Sequence, residues 1–237
     1  MAARQDAQQA DVPAICKSCE ARQDSLCGAL NARQLAELTR ASSRHEVLAG
    51  TELPDDGTYS NLLSGVVKLT RNLPDGRQQI VGFHFAPDFL GRPFDAKRQI
   101  RAEALTNVKL CSFPRAIVDR MTGEAPELGR LLLKHALNEL DEAGDWMPAL
   151  GRKTASEKVA SFLLMVARNM GPAHHPASPI SFDLPLTRAD IADFLGLTIE
   201  TVSREFSRLR ADGAIHIVNK RQISLASMAQ LEERCGD

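Results

Sequence analysis

Apolar residues follow two different rhythms along this chain, and the change comes at Pro114. Between about Val47 and Phe113, short runs rich in β-branched and aromatic residues alternate with turn signals. Residues 62–70 and 79–85 are two such runs, joined by Leu73-Pro74-Asp75-Gly76-Arg77, whose Pro-Asp-Gly sets a tight hairpin. Ala49-Gly50, Asp55-Asp56-Gly57 and Ala86-Pro87-Asp88 mark further turns, and residues 108–113 form another run. Short strands at this spacing predict a sandwich or barrel. Ahead of them, residues 31–41 place Leu35 and Leu38 at helical spacing, while residues 1–30 are polar, without period, and read as an irregular arm.

After Pro114 the period becomes helical. Residues 116–121 form a short helix ending at Gly123, and a longer one starts at Glu124-Ala125-Pro126, with proline in its first turn. Along it Leu133, Leu137, Leu140, Gly144 and Met147 repeat in steps of four, three, four and three, a heptad seam. Such a seam packs either on its own barrel or on a second copy of the chain. Pro148 predicts a kink or an end near Met147, because proline removes a helical hydrogen bond. Residues 152–170 make a further helix with Val159, Phe162, Leu163, Val166 and Met170 on one face. The Pro-rich stretch 171–179 is a loop, and its His174-His175 reads as a solvated pair rather than a metal site.

Thr187 and Asp190 form a capping box that starts a helix with Ile191, Ala192 and Leu195 buried, and Gly196 turns the chain after two helical periods. Thr198 caps a second helix that runs to about Ala211 and stops at Gly213. Two short helices around a tight glycine turn make a helix-turn-helix. In the second, Val202, Phe206 and Leu209 share one face and leave Glu200, Ser203, Arg204, Ser207 and Arg208 on another, with Thr198 and Thr201 at its start. These side chains read base edges or grip phosphate: carboxylate accepts from cytosine N4, arginine is bidentate to guanine, hydroxyls bond either. Ile215, Ile217, Ile223 and Leu225 flank Asn219-Lys220-Arg221 as a hairpin wing, with Lys220 at a tip placed to touch the DNA backbone. Helix-turn-helix proteins usually bind as dimers, which tips Leu133, Leu137, Leu140, Gly144 and Met147 toward a homodimer interface.

Composition narrows this further. A length of 237 residues suits two domains, and 43% hydrophobic with 25% charged residues is that of a soluble globular chain. A formal net charge of -1 excludes wholesale polyanion binding, so the nucleic-acid contact is local. From residue 198 to 221, five basic residues face three acidic ones. No run spans a membrane and the start has no signal-peptide core, so a cytoplasmic protein is expected. No nucleophile–base pairing or phosphate loop argues for an enzyme.

Cys16, Cys19 and Cys27 form C-x2-C-x7-C, a spacing that can wrap three thiolates around one metal centre, and Cys111 on a predicted strand is the candidate fourth ligand. Four thiolates suit an iron–sulfur cluster or a structural zinc, and spacing alone does not choose. Cys235, near the other end, is read as a non-ligand.

The order of barrel, long helix and winged helix-turn-helix, with Leu150-Gly151-Arg152-Lys153-Thr154-Ala155 opening the hinge region and residues 195–204, LGLTIETVSR, in the reader, resembles the CRP/FNR family of bacterial regulators. The resemblance implies an α+β fold: a cysteine-rich arm (1–30), an N-terminal β-barrel of the cyclic-nucleotide-binding, jelly-roll kind (31–123), a dimerisation helix (124–151) and a C-terminal winged helix-turn-helix (152–237). Glu200, Ser203 and Arg204 match the FNR branch, which implies an inverted repeat of TTGAT in double-stranded DNA. The cysteine pattern is similar to that of the oxygen-sensing FnrL and FnrN type, which implies a 4Fe-4S cluster on Cys16, Cys19, Cys27 and Cys111, a homodimer while the cluster is intact, and RNA polymerase as a partner. A cluster-less FixK-like regulator, or one with zinc in the cysteines, is the alternative. The family's cyclic-nucleotide pocket has a Gly-Glu pair and an Arg-Ser-Ala, where this chain has Gly91-Arg92-Pro93 and no Arg-Ser-Ala before Ile100, so no cyclic nucleotide is expected. Asp145 matches an acidic position of the family that sets like charges face to face across the dimer.

Overall fold

The computed structural model describes residues 12–54, 56–91, 100–170, 180–219 and 221–236. Asp55, Arg92-Pro93, His174-His175 and the wing residue Lys220 lie outside the described residues. The chain divides into two compact units, Met1–Leu69 with Phe83–Leu140, and Thr70–Gly82 with Asp141–Asp237.

In the first unit the described part of the arm, from Val12, is not irregular. It holds a short helix α1 (Ala14–Lys17) and two 3-10 turns, Glu20–Arg22 and Leu26–Ala29. Its apolar residues are too sparse to show a period, yet Val12, Cys16, Ala21 and Leu26 are all buried. Helix α2 (Ala32–Arg40) follows under a capping box, in which Asn31 Oδ1 accepts from Gln34 N–H and Gln34 Oε1 accepts from Asn31 N–H, both at 3.0 Å.

The strands are β1 (Ser43–Val47), β2 (Thr58–Ser64), β3 (Val66–Asn72), β4 (Gln78–Phe85), β5 (Phe89–Leu90), β6 (Arg101–Ala104) and β7 (Val108–Pro114). Among the described residues they form two sheets, β1-β7-β2-β5 and β4-β3-β6, in jelly-roll fashion rather than one closed barrel. The run expected over 62–70 is split at Gly65, which has φ +93°; a Cβ there would stand 2.6 Å from Thr106 Oγ1. Glycine therefore lets the chain leave one sheet and enter the other. Leu62, Val67, Leu90, Ala102, Ala104, Val108 and Leu110, drawn from both sheets, fill the space between them.

Helix α3 (Arg115–Glu124) leads into α4 (Pro126–Arg152), which passes through Pro148 without ending. The expected end near Met147 does not occur. The carbonyl that proline leaves unpaired belongs to Gly144, on an exposed face where water can serve it. Early in α4, Leu128 and Leu132 join a core cluster with Val118, Met121 and Leu26 of the arm. Further along, Leu133, Leu137, Leu140 and Met147 are 60%, 50%, 64% and 71% exposed.

The second unit holds α5 (Ala155–Met170), β8 (Ile180–Asp183), α6 (Arg188–Leu195), α7 (Ile199–Ala211), β9 (Ile215–Val218), β10 (Gln222–Leu225) and α8 (Met228–Glu232). Val159, Phe162, Leu163 and Val166 of α5 are buried. The wing has a third strand, in the order β8-β10-β9, and its register pairs Ile223 with Ile217 and with Phe182. Trp146, on the last part of α4, packs edge-to-face with Phe194 of α6, with centroids 4.6 Å apart.

Candidate functional site

The reader is built from caps outward. Thr187 Oγ1 accepts from the Asp190 N–H at 3.1 Å, and the Asp190 carboxylate accepts from the Thr187 N–H at 3.0 Å, which starts α6. Gly196, at φ +63° in the left-handed region, ends it. Thr198 Oγ1 then accepts from the Thr201 N–H at 3.2 Å, and its hydroxyl donates to Thr201 Oγ1, so both threonines are engaged in the start of α7. Val202, Phe206 and Leu209 are buried, and Glu200, Ser203, Arg204, Ser207 and Arg208 are exposed together on the outer face. Hydrogen bonding to its own backbone N–H, then to the Thr198 side chain, holds the Glu200 carboxyl below the usual carboxylate range. Ser207 donates to the Ser203 carbonyl at 2.9 Å. Glu205, counted in the sequence only as one acidic charge, is buried beneath Arg204 and Arg208.

The thiols lie in the first unit. Strand register sets Cys111 opposite Arg44 of β1 on one side and opposite Asn61 of β2 on the other. Opposed residues of an antiparallel ladder share a face, so Arg44, Cys111 and Asn61 form a row. Asn61 Nδ2 donates to Sγ of Cys27 at 3.4 Å, and Arg44 Nη2 donates to the Ile15 carbonyl of the arm at 3.1 Å. Cys16 Sγ lies 3.2 Å from Thr39 Oγ1, a hydroxyl already donated to the Leu35 carbonyl, so the thiol is the donor. Burial, together with Cys111 and Cys16 nearby, pushes the Cys27 thiol up to about 12, against hydrogen bonds from Ser25 and Asn61. Burial also raises Cys111, against the hydrogen bond and charge of Arg44. The sequence-predicted residues Cys16, Cys27 and Cys111 are thus brought into one electrostatic neighbourhood. Cys19 is partly exposed, with its N–H on the Cys16 carbonyl at 3.4 Å. Cys235 lies in the second unit, buried, its thiol donating to the Leu231 carbonyl at 3.3 Å.

Two domain families match this chain. The Crp-like helix-turn-helix domain covers residues 157–234, and the cyclic nucleotide-binding domain covers residues 43–124. A probable transcriptional activator of Rhizobium leguminosarum bv. viciae is 51% identical over 234 residues, 97% of each chain. The chain belongs to the CRP/FNR family of transcription regulators. The transcriptional activator protein FnrL of Cereibacter sphaeroides is 38% identical over 96% of this chain and 95% of its own. Among solved structures, FixK2 from Bradyrhizobium japonicum superposes with a TM-score of 0.74 at 31% identity, covering 81% of this chain and 96% of that one.

As a CRP/FNR chain it has its helix-turn-helix, α6 and α7, and the β9–β10 hairpin where the sequence set them. Asn61, Arg44, Glu205 and Trp146 escaped the sequence reading. The first two reach the thiols only through strand register, and the third hides in a charge run.

By type, the four cysteines of the first unit suit an iron–sulfur cluster or a zinc ion, with N–H donors of Asn61 and Arg44 beside Cys27 and Cys111. Among the described residues no three His, Cys, Asp or Glu side chains stand close enough to share one metal ion. A four-iron cube binds each thiolate through a different iron and accepts wider spacing than a single tetrahedral ion. Among the described residues no helix is long and apolar enough to cross a membrane.

Proposed function

We propose that this chain is a cytoplasmic, oxygen-responsive transcriptional activator that binds a TTGAT-type inverted repeat as a homodimer while Cys16, Cys19, Cys27 and Cys111 hold a 4Fe-4S cluster. Recruitment of RNA polymerase completes the activator role. The observation that carries the reading is the position of the arm: Leu26, next to Cys27, is buried in the same cluster as Leu128 and Leu132 of α4. When bound, a 4Fe-4S cluster supplies an oxygen-labile covalent tie between the arm and β7.

The chain's own residues convert that tie into assembly. Leu26 fixes the start of α4, and the next residue after Leu132 is Leu133, the first of the exposed seam. Leu133, Leu137, Leu140 and Met147 gain burial only against a second copy, Gly144 allows close approach there, and Asp145 opposes it by like charge. A dimer in turn presents two α7 helices to successive major grooves, with Glu200, Ser203, Arg204, Ser207 and Arg208 toward the bases and backbone.

The experiment is a DNA-binding titration and sedimentation run on full-length protein purified without oxygen, repeated after exposure to air. Dimer and tight TTGAT binding before air, monomer and weak binding after it, are expected. A second reading, a cluster-less regulator, draws on the likeness to FixK2. It requires identical binding in both halves of the experiment, which overturns the first.

A further inference from the structure

Glu205 is a carboxylate in a place where the helix buries its apolar face. Its side chain is 4% exposed, on the same helix as buried Val202, Phe206 and Leu209. A buried charge is stable only when paired. Here it is paired twice: Oε1 stands 3.5 Å from Arg204 Nε, and Oε2 accepts from Arg208 Nη1 at 3.1 Å. Both arginines otherwise point outward, 63% and 60% exposed.

We infer that Glu205 is a specificity-determining positioning residue: it anchors the two arginines of the reading face from beneath, one on each carboxylate oxygen. The inference rests on the reading that Arg204 recognises guanine. Arginine meets guanine O6 and N7 through two N–H groups of its fork. With Nε held at Glu205, the two terminal Nη groups of Arg204 are left to the base, and the chain loses less rotamer freedom on binding. Arg208, hydrogen-bonded to the other oxygen, shares the compensation of Glu205 and is itself withheld from promiscuous phosphate contact. Glu205 thus lowers affinity for DNA at large while sharpening it for the right sequence.

This separates it from a residue that merely supports the fold, whose loss weakens binding to every sequence. The test uses full-length protein handled without oxygen, titrated against the TTGAT repeat, its guanine variants and a random duplex at several salt concentrations. Glu205→Gln keeps the shape and removes the charge. Random-duplex affinity should rise, the slope of log affinity against log salt should steepen by about 1 per subunit as Arg208 becomes free to neutralise a phosphate, and preference for guanine should fall by about 3-fold or more. In an Arg204→Ala background the substitution should leave guanine preference where it is. Equal weakening on all sequences, or an unchanged slope with unchanged preference, overturns the inference. If Arg204→Ala alone leaves guanine preference intact, the base-reading role fails, while the steeper slope of Glu205→Gln still reports the hold on Arg208. Should Glu205→Gln not fold, Glu205→Asp decides: it shortens the reach to both arginines, so guanine preference must fall and the slope must steepen, and wild-type values of both overturn the inference.

Discussion

Asn61 donates its side-chain N–H to the sulfur of Cys27 at 3.4 Å. It does so from a buried position on β2 directly opposite Cys111, and its own Oδ1 is buried without a hydrogen-bond partner among the described residues. An unpaired buried oxygen costs about 1–3 kcal/mol. What the unit gains is a donor aimed at the Cys27 sulfur, and under the proposed cluster such a partner would hold the metal site about 10–100-fold more firmly. Asn61→Leu, similar in volume and lacking the donor, should therefore lose iron to a chelator about 10-fold faster without oxygen, followed by the visible spectrum. An unchanged rate of loss would sink this role.

The coupling of arm to helix makes a second prediction. Leu26 is 1% exposed, so Leu26→Ala should destabilise the first unit by about 2–5 kcal/mol in denaturant unfolding. Because it sits between Cys27 and the cluster of α4 residues, the variant should also dimerise poorly even where its iron content matches wild type. Wild-type dimerisation at full iron content in Leu26→Ala would show that the signal takes another route.

Asp145 is exposed beside the seam residue Met147. Two such carboxylates at about 4 Å repel by about 1–4 kcal/mol, depending on how much water remains between them. Asp145→Ala should leave a measurable dimer fraction in air and partial aerobic binding to the TTGAT repeat, seen by ultracentrifugation and titration. A wholly monomeric aerobic variant counts against the like-charge device.

Much of the second unit was legible because its boundaries are written in local chemistry. Thr187 with Asp190, Gly196 at a positive φ, and Thr198 are all signals a few residues long, and each forms the cap or turn expected of it. Strand β8 was not, since Ile180-Ser181-Phe182-Asp183 alternates over only four residues beside a Pro-rich stretch. The continuous 62–70 run hid the sheet change at Gly65, which depends on how near Thr106 comes. Pro148 misled because its cost depends on whether the freed carbonyl meets water. At the thiols, spacing named the cysteines, but Arg44 and Asn61 lie 67 and 50 residues before Cys111 and meet it only through the ladder (111 − 44 and 111 − 61).

On the DNA side, Arg204→Ala should cost about 1–3 kcal/mol per half-site and relax preference at the guanine, measured by titration against every single-base variant of one half-site at fixed salt. Lys220→Ala in the wing should weaken all sequences alike and reduce the salt slope by about 1. Uniform weakening by Arg204→Ala, with guanine still preferred, would reassign that arginine to a phosphate.

The central claim is that these cysteines hold an oxygen-labile cluster, and metal analysis reads it most directly. Wild-type protein and the five single Cys→Ala variants are purified without oxygen and assayed for iron, acid-labile sulfide and zinc, with a visible spectrum of each. The account predicts about four iron and about four sulfide per chain in wild type and in Cys235→Ala, and loss of both in Cys16→Ala, Cys19→Ala, Cys27→Ala and Cys111→Ala. Zinc without sulfide in the wild type, or a full complement of iron and sulfide in Cys111→Ala, would contradict it.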